Sequence, residues 1–430
     1  MPKIKTAFVL LVFAEFVYNI SGYVINMGLG RMLGVADYGR YSLVIGVTTM
    51  MIILVGRGVP TAMAKRISEH LNDWQMIDAI KHTAARIQIL IITLLTVIFY
   101  FSAPLLAYGF GDTTLTPLFR LSAFIIPAFA LSSFHVLYFN GLKRFTVLTV
   151  LKMSRGAFRM LWILGCATLF ALHGALYGAI LAPLSVFCVA LIIESFFLKK
   201  TASAQPAQKT TYPWKKILSF AGGFMLFLLF SEVYTRLDVY VIKIITHSDY
   251  DTGLYNAAYT IALMPYYVMY ALTFILFPTI SDLTKNNKIT QIKTVLKKII
   301  LFLFATLIPA AIVLAFFPTV LTTLFFGPQF FAAAPLIPLM AGATVFATVF
   351  AVLASVFNGA GKTHIPTIIT CIALVGAVIA NATFLPVYGI RATAIIFSST
   401  ATFMGLAALA MAYKTFFTHT NKSDKEKVLK

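Results

Sequence analysis

Apolar residues fill most of this chain in long runs, separated by short polar or basic stretches. A run of about 20 apolar residues is long enough to cross the hydrocarbon core of a bilayer as a helix. Twelve such runs are present. They cover residues 7–29, 40–62, 87–109, 116–139, 148–170 and 175–197 in the first half, and 218–245, 254–279, 297–317, 333–357, 365–385 and 392–415 in the second. The fifth run is the least clean, because Lys152, Arg155 and Arg159 occupy its first turns. Two polar segments, Ala64–Lys81 and Ile280–Leu296, follow the second and eighth runs. Ile67, Leu71, Ile77 and Ile80 in one, and Ile289, Ile292 and Leu296 in the other, recur at helical spacing. Each segment is expected to form a short helix on the membrane surface.

The runs are arranged as a repeat. Asp37-Tyr38-Gly39 returns as Asp251-Thr252-Gly253, Pro60-Thr61 as Pro278-Thr279, Phe110-Gly111 as Phe326-Gly327, and Phe139-Asn140-Gly141 as Phe357-Asn358-Gly359. His173-Gly174 corresponds to Tyr388-Gly389, and the five offsets lie between 214 and 218 residues. Short matches in one order at near-constant spacing point to two related halves. Six spans per half is an even number, so both halves enter the membrane the same way round. The expected fold is all-α: about twelve transmembrane helices in two parallel six-helix lobes around a central cavity. The lobes are expected at 1–198 and 217–416, with a polar linker at 199–216 and a tail at 417–430.

Composition agrees with a bilayer as solvent: 60% of the 430 residues are hydrophobic and 11% charged. Soluble domains carry about 25% charged residues. Cys166, Cys188 and Cys371 all lie in apolar runs and read as small hydrophobes, not a disulfide framework. The first run continues past signal-peptide length without a cleavage site, so it is expected to be retained. The net charge of +20 is unevenly placed. Of the 34 lysines and arginines, 27 fall on one set of loops and termini. That asymmetry predicts cytoplasmic termini and linker in a cell membrane, with anionic lipids as partners. It explains the basic charge without nucleic acid.

Charged residues inside spans are expensive and usually face a cavity or a partner. Glu15 lies near the middle of the first span; Glu232, Arg236 and Asp238 lie in the seventh, Arg57 in the second and Arg120 in the fourth. Glu15 and Glu232 are 217 residues apart, which is the repeat spacing. Glu232 and Arg236 stand at i and i+4 and can pair. Asp238 points elsewhere, toward a neighbouring helix. Arginine binds phosphate in a bidentate manner, so Arg236, Arg57 and Arg120 are candidates for an anionic substrate. Glu15, Glu232 and Asp238 are candidates for a coupling proton or sodium ion. The alternative for Glu232 and Arg236 is a neutralised pair holding its helix in the bundle. His135 in the fourth span is expected to be neutral and satisfied.

Arg31-Met32-Leu33-Gly34-Val35-Ala36-Asp37-Tyr38-Gly39, Asn358-Gly359-Ala360-Gly361-Lys362 and Pro386-Val387-Tyr388-Gly389, set among twelve spans, resemble the O-antigen type of polysaccharide-biosynthesis flippase. That family shares a superfamily with multidrug and toxin extrusion exporters and peptidoglycan-precursor flippases. The resemblance implies movement of an undecaprenyl-diphosphate-linked oligosaccharide across the membrane by alternating access, with glycan-assembly proteins as further partners. It implies no catalytic residue, metal or cofactor beyond an ion gradient. No Walker A sequence is present, so ATP is not expected to drive the chain directly. A cation-coupled drug exporter is the nearest rival. A membrane-embedded polymerase or ligase is a weaker one, because the outer loops are short and hold only Asp249 and Asp251 as acids.

Overall fold

The computed structural model describes residues 2–201 and 212–418. Side chains are described from Phe13 on, apart from those of 57, 197–201, 216, 218–231, 274 and 418. The helices are α1 (Pro2–Arg57), α2 (Val59–Glu69), α3 (Trp74–Gly109), α4 (Thr116–Ser122), α5 (Ile125–Gly141), α6 (Phe145–Thr201), α7 (Lys215–Thr246), α8 (Asp249–Ala262), α9 (Met264–Lys285), α10 (Ile289–Phe316), α11 (Pro318–Phe325), α12 (Leu336–Gly359), α13 (His364–Tyr388) and α14 (Ile390–Ala412). Among the described residues, nine helical stretches are long and apolar enough to cross a membrane. Two of them each carry two of the expected spans. The first bends at Gly34 (φ 77°, ψ 176°). The second breaks at Phe170 and Ala171, where the φ of Ala171 is 47°.

The chain divides into two compact units: Met1–Arg236 with His247–Gly253, and Leu237–Thr246 with Leu254–Lys430. The boundary thus falls inside α7. The expected linker and tail lie largely outside the described residues.

The first unit is built around Met63, Ile67, Ile77, Ile80, Phe139, Leu151, Val186 and Ala190, contributed by α2, α3, α5 and α6. This core corrects the expected surface helix over Ala64–Lys81. A turn closed by His70 and Asp73 splits that segment, and Asp73 caps α3 by accepting from the Met76 amide at 3.0 Å. Ile67, Ile77 and Ile80 are buried because the helix ends pack against protein, not lipid. The second segment behaves alike. α9 ends at Lys285 and α10 begins at Ile289, with Ile280, Ile292 and Leu296 buried.

The repeat is visible in the backbone. Left-handed residues recur at its spacing: Gly111 and Gly327, Lys143 and Gly361, and Ala171 and Gly389, so the backbone equivalent of Gly389 is Ala171, not the Gly174 matched in sequence. A Cβ on Gly141 would meet the Ala64 carbonyl oxygen at 2.8 Å, with Ile67 beside it; a Cβ on Gly359 would meet that of Phe277 at 2.7 Å, with Ile280 beside it. The same close helix crossing is built twice, once in each unit. In the second unit Leu237 packs with Ala377, Ala392 and Ile396. There Ser355 Oγ donates to the Thr273 carbonyl at 3.0 Å, tying α12 to α9.

Within the first unit the two copies of the Asp-x-Gly block touch. A Cβ on Gly39 would lie 2.1 Å from the Asp249 carbonyl oxygen, and one on Gly253 would lie 2.0 Å from that of Val35. Both glycines are therefore required for this backbone approach. Arg40 Nε reaches Asp249 Oδ2 at 2.7 Å and anchors the contact.

Candidate functional site

Three cations stand on one face of α6. Lys152, Arg155 and Arg159 are spaced i, i+3 and i+7, so they form a single row about 10 Å long. All three side chains are half-buried inside the helix bundle. They occupy the first turns of the fifth expected span, although they also count among the 27 cations on one set of loops and termini. Counting positive residues by loop treats them as interfacial, whereas α6 is helical from Phe145 and carries them into the protein.

Each cation has a distinct seat in the first unit. Lys152 Nζ pairs with Glu15 Oε1 of α1. The Arg155 guanidinium donates to Ser132 Oγ at 2.7 Å and Ser133 Oγ at 3.3 Å, and lies 4.8 Å from the centroid of the Phe129 ring. Arg159 lies 4.7 Å from the centroid of the Tyr18 ring. Glu15 and Tyr18 are one turn apart on α1, so the α1 face matches the α6 row.

Arg236 belongs to the same unit. Its Nε lies 3.5 Å from Glu232 Oε1, the i, i+4 pair expected from the spacing. Arg236 and Arg159 both act electrostatically on the buried Tyr41 hydroxyl. The structure thus gives each carboxylate, Glu15 and Glu232, its own cation. Arg120 is separate. It is exposed and lies 5.5 Å from the centroid of the Tyr100 ring of α3. The side chain of Arg57 lies outside the described residues.

Asp238 sits in the second unit with different partners. It is buried, accepts from the Tyr255 hydroxyl at 2.6 Å, and is hydrogen bonded by Asn381. Asn381 and Thr393 are also fully buried, and Asn381 Oδ1 and Thr393 Oγ1 lack a hydrogen-bond partner. A buried carboxylate beside the unpaired amide oxygen of Asn381 is the donor chemistry of a hard monovalent cation or a proton. No group of three or more His, Cys, Asp or Glu side chains suited to a metal occurs among the described residues.

A second buried ionic cluster went unpredicted. Glu194 of α6 is held by Lys81 of α3 and by His135 Nδ1 of α5 at 2.8 Å. Lys81 also lies 4.6 Å from the centroid of the Tyr138 ring. Glu194 stands at the last turn of its span, where sequence alone suggests an interfacial residue. His135 has a carboxylate partner, so it is satisfied as expected, but by an ion-pair network.

Residues 4–284 match the family described as polysaccharide biosynthesis protein. An uncharacterized membrane protein of Methanocaldococcus jannaschii is 26% identical over 233 residues, covering 53% of this chain and 45% of that protein. Stage V sporulation protein B of Bacillus subtilis is 23% identical over 307 residues, covering 66% of this chain and 59% of that protein. The matches thus span about half the length of these two relatives. Among solved structures, the lipid II flippase MurJ in an inward closed conformation aligns with a TM-score of 0.75 at 17% identity, over 95% of this chain and 88% of that one. An inward-facing multidrug resistance MATE family transporter of the MOP superfamily aligns at 0.69 and 14%, over 95% and 96%. At these identities the likeness establishes the fold.

Proposed function

Since the chain belongs to the polysaccharide biosynthesis protein family, we propose that this multi-pass membrane protein is a flippase. Its cargo is an oligosaccharide linked to a lipid diphosphate, carried across the cytoplasmic membrane by alternating access. The Lys152–Arg155–Arg159 row carries this reading. A cation at the centre of a membrane helix costs about 2.5–3.5 kcal/mol on the insertion scale. Three on one helix face, in contact with Glu15, Ser132, Ser133 and the Phe129 and Tyr18 rings, concentrate positive charge that suits an anionic guest. A diphosphate matches this row in charge and in its need for forked donors. Arg236 adds a fourth cation. Glu15 and Glu232 then act as exchangeable counter-ions, and Asp238 with Asn381 is the place for a coupling proton or sodium ion.

The test is lipid flipping in proteoliposomes, with a fluorescent undecaprenyl-diphosphate disaccharide as probe. Arg159→Ala and Arg236→Ala are expected to slow flipping at least tenfold at equal protein level, and Arg120→Ala to leave it unchanged. Wild-type rates in both inner variants would remove the row from the transport path. The buried carboxylate of Asp238 favours one second reading, a cation-coupled drug exporter. Efflux of a lipophilic cation dye without flipping of the probe would select it.

A further inference from the structure

The repeat supplies an internal control for residues that the fold does not need. Residues 42–73 of the first half contain no Phe, Tyr or Trp. The equivalent stretch 257–288 contains six: Tyr259, Tyr266, Tyr267, Tyr270, Phe274 and Phe277. Both stretches are largely helical and close on the same glycine crossing, at Gly141 and Gly359. Helix packing therefore does not demand aromatics here, and their concentration in one copy calls for another cause.

The tyrosines are grouped. Tyr266 lies against Tyr267, ring centroids 5.0 Å apart, and against Tyr270 at 5.7 Å with the planes tilted by 34°. They start at Tyr266, the midpoint of the apolar run 254–279, so they are not an interfacial belt. α9 has two exposed sides. Val268 and Ile275, 48% and 42% exposed, make one that is aliphatic and suited to lipid. Tyr270, 37% exposed, points about 160° away from Val268 around the helix axis. Phenol groups at mid-membrane depth need a polar environment, because hydrocarbon offers the hydroxyl nothing. A surface of flat rings edged by hydroxyls is the complement of a pyranose. The sugar lays its C–H face on the ring and its rim hydroxyls meet the phenol oxygens.

We propose that Tyr266, Tyr267 and Tyr270 are a stacking platform for sugar rings of the transported glycan. This inference rests on the flippase reading above and concerns the sugar part of its cargo alone.

The experiment uses the full-length protein in nanodiscs with two probes, undecaprenyl diphosphate and undecaprenyl-diphosphate disaccharide. Wild type is expected to bind the disaccharide probe more tightly. Tyr270→Leu and Tyr266→Leu are expected to weaken it roughly tenfold, about the loss of one or two stacking contacts. Binding of the bare diphosphate should stay within about twofold. Tyr266→Phe keeps the ring and is expected to retain most of the affinity, which guards against a leucine variant that fails to fold. Arg159→Ala should weaken both probes. Equal loss of both probes in the tyrosine variants, or loss of neither, overturns the platform. If wild type binds the two probes equally, the platform fails and the flippase stands. If wild type binds neither, the flippase reading itself fails.

Discussion

Alanine at Gly253 tests whether the Val35–Arg40 contact is a closure that opens during function. The new Cβ would sit 2.0 Å from the Val35 carbonyl oxygen, whereas ordinary contact begins near 3.4 Å. The obstacle is backbone, so no side chain can swing aside, and the segments must part by about 1.4 Å. Overpacking of this kind costs about 1–3 kcal/mol. Only the closed arrangement bears that cost, so the open one gains by about 5- to 150-fold. The reporter is Val35→Cys in a background lacking Cys166, Cys188 and Cys371, because Val35 is only 8% exposed beneath Gly253. Labelling by a membrane-impermeant maleimide is expected to accelerate by that factor with Gly253→Ala, and likewise with Gly39→Ala. Gly165→Ala is the control, since a Cβ there meets nothing within 4 Å. Unchanged labelling in both alanine variants, with the protein still folded, refutes the reasoning.

Two further outcomes follow from the buried ionic groups. Glu194→Leu alone leaves Lys81 without its carboxylate and is expected to cost about 3–5 kcal/mol, whereas Lys81→Met with Glu194→Leu recovers most of it; thermal unfolding in detergent measures both, and an equally damaged double variant contradicts the pairing. Asp238→Asn is expected to abolish the effect of an imposed proton or sodium gradient on flipping while basal flipping persists. A gradient response that survives the substitution removes Asp238 from coupling.

The long elements and the duplication were legible because both depend on local pattern. Apolar runs set helix length, and Gly111 and Gly327 mark the same left-handed turn in each copy. The Glu232–Arg236 pair was legible for the same reason, since i, i+4 is a fixed distance on a helix. The α6 row was not read as a site although its spacing is plain. A lysine or arginine near a span end serves equally well as a topology signal, and only burial distinguishes the two. The Glu194 cluster was hidden because its members come from α3, α5 and α6, 113 residues apart at the widest pair. Arg120 and Arg236 looked alike in sequence; one is exposed over the Tyr100 ring and the other acts electrostatically on the buried Tyr41 hydroxyl.

Gly34 gives α1 the character of a two-armed lever. One arm carries Glu15 and Tyr18, which grip the cations of α6. The other carries Gly39 and Arg40, which clasp Asp249 and Gly253. Between the arms is one residue with positive φ and no neighbour within 4 Å of a would-be Cβ. Two torsions of a single glycine therefore govern the angle between the arms. A pull applied where the cations sit is delivered to the clasp as a rotation, with no chain of side chains needed to carry it.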